Sequence, residues 1–77
     1  MMRTKKGLKD MRKVLTKELL MEALEVQYVK YGSIEVLPLL GELRTQYKVN
    51  SKKYRTYLGE LALEGKIEVE DNVITVL

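Results

Sequence analysis

The sequence predicts a mainly α-helical domain in which three helices are followed by a small β-hairpin. Three observations carry that reading. Apolar residues recur at helical spacing over three stretches, separated by Gly32 and by the turn Val49-Asn50-Ser51. Pro38 belongs only in the first turn of a helix, so it fixes where the second stretch starts. After Gly65 the pattern changes to strand-like alternation on either side of Asp71-Asn72.

Each element has a local reason. Residues 1–7 end in Lys5-Lys6-Gly7, lack periodicity and are expected to be a mobile arm. The spacing of Leu8, Met11 and Leu15 is helical, and Thr16 is a candidate N-cap with Glu18 in the first turn. Residues 8–31 therefore form either one long helix or a short helix followed by a capped longer one. The second option divides the chain into a basic extension, 1–15, and a domain, 16–77. Leu20, Leu24, Gln27, Tyr28 and Tyr31 share one stripe of the first main helix, which Gly32 ends in the left-handed conformation. Ser33-Ile34-Glu35-Val36 has the makings of a small strand. The second helix starts near Val36–Leu37 and ends near Tyr47, with Leu40 and Leu43 facing inward. Val49 is expected to be buried in the turn. Asn50 or Ser51 then caps a third helix running to about Glu64, where Gly65 stops it. Ile67–Glu70 and Val73–Val76 flank Asp71-Asn72, a two-residue loop that tolerates positive φ and so reads as a hairpin turn.

Composition excludes several classes of function. At 77 residues the chain is one domain with a modest core, and without Phe or Trp that core must be Leu, Val, Ile and Tyr. The absence of Cys and His removes disulfides, thiolate chemistry and the usual zinc sites. Ser33 and Ser51 have no adjacent base, and the glycines form no phosphate-binding loop. Glu68, Glu70 and Asp71 read as a solvated hairpin rather than an acid–base or metal site. No enzyme activity, metal or cofactor is expected. No apolar run is long enough to span a membrane, and none resembles a signal peptide behind the N-terminal charges. The Lys- and Glu-rich composition suits a cytoplasmic protein and a heat-adapted source.

The net charge of +3 conceals a segregation. Residues 1–17 carry Arg3, Lys5, Lys6, Lys9, Arg12, Lys13 and Lys17 against Asp10, a balance of +6. Residues 18–43 hold Lys30 against five glutamates, or −4. Residues 44–57 hold Arg44, Lys48, Lys52, Lys53 and Arg55 with no acid, or +5, and the remainder sums to −4. Basic blocks of this kind release counterions from a nucleic-acid duplex and bind it independently of sequence. A solvated, idle basic tail is the plainer reading of the first block. The second block coincides with the turn and the start of the third helix, which favours a functional reading.

On that helix, at about 100° per residue, Leu58 and Leu61 fall within about 40° of Tyr54 and define an inward face. Lys52, Thr56 and Gly59 lie on the opposite side, flanked by Lys53 and Arg55. Gly59 leaves room for close approach of another surface. The helix start also offers unpaired backbone N–H groups and a favourable dipole to a phosphate. Tyr54, Tyr28 and Tyr31 read as packing residues. Tyr47 and Tyr57 have the reach to bond a phosphate, but amphipathic packing is the simpler role.

Val49-Asn50-Ser51 followed by Tyr54, Leu58, Leu61, Gly65 and Ile67 resembles the turn, recognition helix and first wing strand of winged helix-turn-helix DNA-binding domains. Small stand-alone members from archaea, their viruses and plasmids are the most similar. The resemblance covers roughly residues 16–77 and rests on hydrophobic spacing, which specifies fold better than function. It implies DNA contacts from Ser51, Lys52, Lys53, Arg55 and Thr56. Charge adds Arg44 and Lys48 to the candidate site, with Arg3, Lys5 and Lys6 as an arm on phosphates. The short acidic wing departs from wings that grip DNA, so the arm is expected to replace it. Leu19, Met21, Val26 and Val29 give the first helix more apolar surface than one core face needs. That excess suggests either residues 8–15 packing back or a homodimer.

The leading expectation is a double-stranded-DNA-binding transcriptional regulator, with residues 51–64 in the major groove. The alternatives are a non-specific DNA-binding accessory protein and a protein-interaction adaptor in a replication, transcription or membrane-remodelling assembly.

Overall fold

The computed structural model describes residues 11–77. The chain runs through β1 (Lys13–Val14), α1 (Lys17–Tyr31), β2 (Ile34–Glu35), α2 (Val36–Gln46), β3 (Tyr47–Lys48), α3 (Ser51–Leu63), β4 (Ile67–Glu70) and β5 (Val73–Val76). The architecture is mainly helical with a small antiparallel sheet of order β2-β5-β4. A separate parallel pair joins β1 to β3. The expected order of three helices and a terminal hairpin is what the described residues form.

Capping residues set the helix limits. The Thr16 hydroxyl accepts the Leu19 N–H at 3.1 Å and starts α1. Gly32, at φ 81°, ends that helix with its N–H on the Tyr28 carbonyl at 2.8 Å. At α2 the cap comes from far along the chain. Glu35 makes no side-chain capping bond, and the Val36 N–H instead donates to the Asn72 carbonyl at the hairpin tip, 3.0 Å away. Pro38 is the third residue of α2, where a missing N–H costs nothing. At the start of α3 the Asn50 side chain accepts the Lys53 N–H at 2.8 Å. Asp71 and Asn72 both have positive φ, 50° and 66°, as a tight hairpin turn of the right twist requires.

The core is one cluster. Leu20 and Leu24 of α1 meet Leu39, Leu40 and Leu43 of α2, Tyr54, Leu58 and Leu61 of α3, and Ile34, Ile67 and Ile74 of the sheet. Tyr54 is 1% exposed, and its hydroxyl donates to the Val36 carbonyl at 2.7 Å, tying α3 to the first turn of α2. Burial pushes this phenol up to about 12. At the other end of α3, Lys17 pairs with Glu60 at 3.4 Å and with Glu64, while Lys66 reaches Glu64 at 3.3 Å. The Glu64 bond raises the Lys17 ammonium above its ordinary value; the bonds from Lys17 and Lys66 hold the Glu64 carboxyl below its own.

Three expectations need correction. Met11–Leu15 is not helical, because the extended conformation lets Lys13–Val14 pair with Tyr47–Lys48 and seats Leu15, fully buried, in the core. Tertiary pairing here outweighs local periodicity. The α1 stripe stops at Tyr28: Tyr31 is 69% exposed because the last turn of the helix runs past the core. Val49 is half-buried at the edge of the cluster rather than within it. The expected arm, residues 1–7, lies outside the described residues.

Candidate nucleic-acid interface

Burial of Tyr54, Leu58 and Leu61 fixes the rotation of α3 about its axis, and that rotation decides what its first two turns present. Ser51, Lys52, Lys53, Arg55 and Thr56 are all exposed. The first turn of α3 contains no acidic residue. Among the described residues the ion pairs join Lys17, Lys66, Glu60 and Glu64, so Lys52, Lys53 and Arg55 have no carboxylate partner there. Lys53 sits 5.8 Å above the Tyr57 ring, a cation–π contact that orders its stem and leaves the ammonium at the surface. The Thr56 hydroxyl donates back to the Lys52 carbonyl at 3.0 Å, so its own backbone engages it in this state.

Arg44, in the last turn of α2, and Lys48, in β3, are exposed on the approach to α3. The structure brings two further bases beside them. The Arg12 guanidinium donates to the Arg44 carbonyl, and Lys13 is in register with Tyr47 in the parallel pair. Arg12 and Lys13 were legible in the sequence as charge, but their place beside Arg44 and Lys48 was not, since it comes from strand pairing. Arg3, Lys5 and Lys6 lie outside the described residues.

Two tyrosines have structural duties. The Tyr57 hydroxyl donates to the Leu15 carbonyl at 3.1 Å, joining α3 to the segment before α1. Tyr47 packs against the core edge.

The far half of α3 differs in character. Gly59 and Ala62, with Leu37 of α2 and Val69 of β4, line a shallow trough of about 440 Å³, to which Arg55 and Asn72 also contribute. Beyond its own stretch of helix and its chain neighbours, nothing among the described residues lies within 4 Å of where a Gly59 side chain would begin, and Leu63 is 90% exposed. On the hairpin, Ile67 turns inward while Glu68 and Glu70 are exposed. Cross-strand register sets Glu70 and Glu35 on either side of Val73, which gives the outer face of the sheet an acidic surface.

No helix among the described residues is long and apolar enough to cross a membrane. No family model, curated protein or solved structure matches the chain.

Proposed function

We propose that this protein is a winged helix-turn-helix DNA-binding protein that acts in the cytoplasm as a transcriptional regulator, with α3 in the major groove. One observation carries the reading: a capped helix start that exposes Lys52, Lys53 and Arg55 without an acidic partner, on a rotation fixed by buried Tyr54. The strand order β2-β5-β4, in which the segment between α1 and α2 pairs with the hairpin, supports the same family. In this reading Arg55 and Thr56 address base edges. Ser51, Lys52, Lys53, Arg44 and Lys48 address phosphates, and Arg3, Lys5 and Lys6 extend that contact along the backbone. The acidic hairpin stays away from the duplex, because Glu68 and Glu70 repel phosphate.

The test is a fluorescence-anisotropy titration against a labelled random-sequence duplex at several salt concentrations. Micromolar binding with a steep salt slope is expected. Absence of binding at low salt would refute the DNA reading. A second reading, a protein-interaction adaptor, is favoured by the apolar trough of Leu37, Gly59, Ala62 and Val69. It becomes the leading one in that case.

A further inference from the structure

The hairpin leaves one strand edge without a neighbour. In the order β2-β5-β4, β5 is paired on both sides, whereas β4 has β5 on one side only. The opposite edge, β2, is two residues long and runs directly into α2. The bond from the Leu77 N–H to the Lys66 carbonyl, 3.0 Å long, sets the parity of the β4–β5 ladder. Antiparallel pairs alternate between hydrogen-bonded and non-hydrogen-bonded, so Glu68 and Glu70 bond to β5 while Ile67 and Val69 turn their N–H and C=O groups away from it. Ile67 is 2% exposed and Val69 41%, which makes Val69 the accessible point of the edge.

The two faces of β4 differ. Glu68 and Glu70 point outward and are exposed. Val69 lies in register with buried Ile74, so it shares the inward face, and with Gly59 and Ala62 of α3 it lines the apolar trough. A strand added to β4 is specified by this arrangement. Its residue opposite Val69 exchanges both backbone bonds with Val69 and turns its side chain to the inward, apolar side. The residues before and after it lie on the outer face, beside Glu68 and Glu70.

We propose that β4 is a docking edge for an extended segment of a partner protein that carries an apolar residue between two Lys or Arg residues and adds itself to the sheet as a fourth strand. Backbone bonds at Val69 fix the register, the trough takes the apolar side chain, and each glutamate meets a cation across the strands. Arg55, which also lines the trough, keeps a further cation out of the central position. Charge selects this occupant over a second copy: β4 paired with another β4 about Val69 would set Glu68 against Glu70 twice on one face. The glutamates that guard the edge against self-pairing thereby choose a basic strand. This edge works whether or not α3 binds DNA, and it gives the protein-interaction reading a partner of stated chemistry.

Heteronuclear NMR of the isotopically labelled full chain, titrated with the capped peptide Thr-Lys-Ile-Lys-Thr, tests the proposal. Amide shifts are expected at Ile67, Val69, Gly59 and Ala62, with slowed exchange of the Val69 N–H. Methylating the isoleucine nitrogen of the peptide leaves its charge intact and should weaken binding by about tenfold, since it removes one of the two bonds to Val69. The Glu68→Lys/Glu70→Lys variant should reject this peptide and take Thr-Glu-Ile-Glu-Thr instead; its substitutions are exposed, so its spectrum should remain that of the folded chain. Absence of shifts at millimolar peptide, shifts centred away from β4, indifference to the methyl group, or an unaltered preference in the reversed variant would overturn the proposal. So would a dimer in sedimentation equilibrium that the peptide does not dissociate. Duplex binding is measured separately, and its absence removes only the DNA reading.

Discussion

Replacing Tyr54 by Phe removes one oxygen from the centre of the fold, and its effect should reverse sign with pH. The hydroxyl is buried and donates to the Val36 carbonyl at 2.7 Å, so at neutral pH its loss costs about 1 kcal/mol, the usual net value of an intramolecular hydrogen bond. A chain of this length has a total stability of roughly 4–12 kcal/mol, so the loss is measurable. The phenol is pushed from 10.0 up to about 12 by burial. Its folded value exceeds its unfolded one, so the stabilising contribution of the neutral phenol is complete below pH 10 and is lost as pH rises towards 12. At about 1.4 kcal/mol per unit that loss approaches about 3 kcal/mol, larger than the hydrogen bond itself. The wild-type and Tyr54→Phe stabilities should therefore converge above pH 10 and cross at about pH 11. Urea unfolding of both proteins from pH 7 upward reads this directly, and taking their difference cancels the other groups that titrate there. A difference that stays constant with pH would refute the burial argument, and with it the view that Tyr54 locks α3 against α2.

Other outcomes follow from the same geometry. Asn50→Ala should cost about 1 kcal/mol of stability in urea unfolding by leaving the Lys53 N–H without its cap. Asn72→Val should cost about 1–2 kcal/mol, because a β-branched residue is strained at the φ of 66° found there. Glu64 has a depressed folded pKa, so its contribution is present above the ordinary value of 4.5 and is lost as pH falls through the lower folded value. Glu64→Gln should accordingly flatten the acid arm of a thermal-stability profile, and an unchanged arm would show that the Lys17 pairing is inconsequential. In anisotropy titrations, the Lys52→Ala/Lys53→Ala double variant should lower the salt slope by about 0.9 for each phosphate that is no longer neutralised. An unaltered slope would take those two residues off the phosphate backbone. Arg55→Ala should instead relax discrimination between sequences, and preserved discrimination would take Arg55 off the bases.

The acidic hairpin and the basic helix start lie close together, because the Val36 backbone bridges them: its N–H donates to the Asn72 carbonyl at the hairpin tip, and its carbonyl accepts the Tyr54 hydroxyl from α3. In the proposed DNA-binding mode, Lys48, Lys52 and Lys53 attract phosphate while Glu68 and Glu70 repel it. Arg55 lines the same trough as Val69 and Asn72 of the hairpin.

Much of this was legible in the sequence because the signals are local. Thr16, Gly32, Asn50, Gly65 and the Asp71-Asn72 pair each act on their own backbone, so residue type alone located the helix ends and the hairpin. The inward stripe Tyr54, Leu58 and Leu61 was equally plain, since helical spacing fixes a face whatever it packs against. With the face went the outward display of Lys52, Arg55 and Thr56. Tertiary structure decided whatever depends on a partner distant in the chain. Lys13–Val14 became a strand because Tyr47–Lys48 was there to pair with it, against a helical spacing that pointed the other way. The start of α2 found its cap in the Asn72 carbonyl, and Tyr57 was taken up by the Leu15 carbonyl. The same packing absorbed Leu19 and Met21 and left Val26 and Val29 exposed. Periodicity says which residues share a face, but only the assembled core says how much of that face it covers.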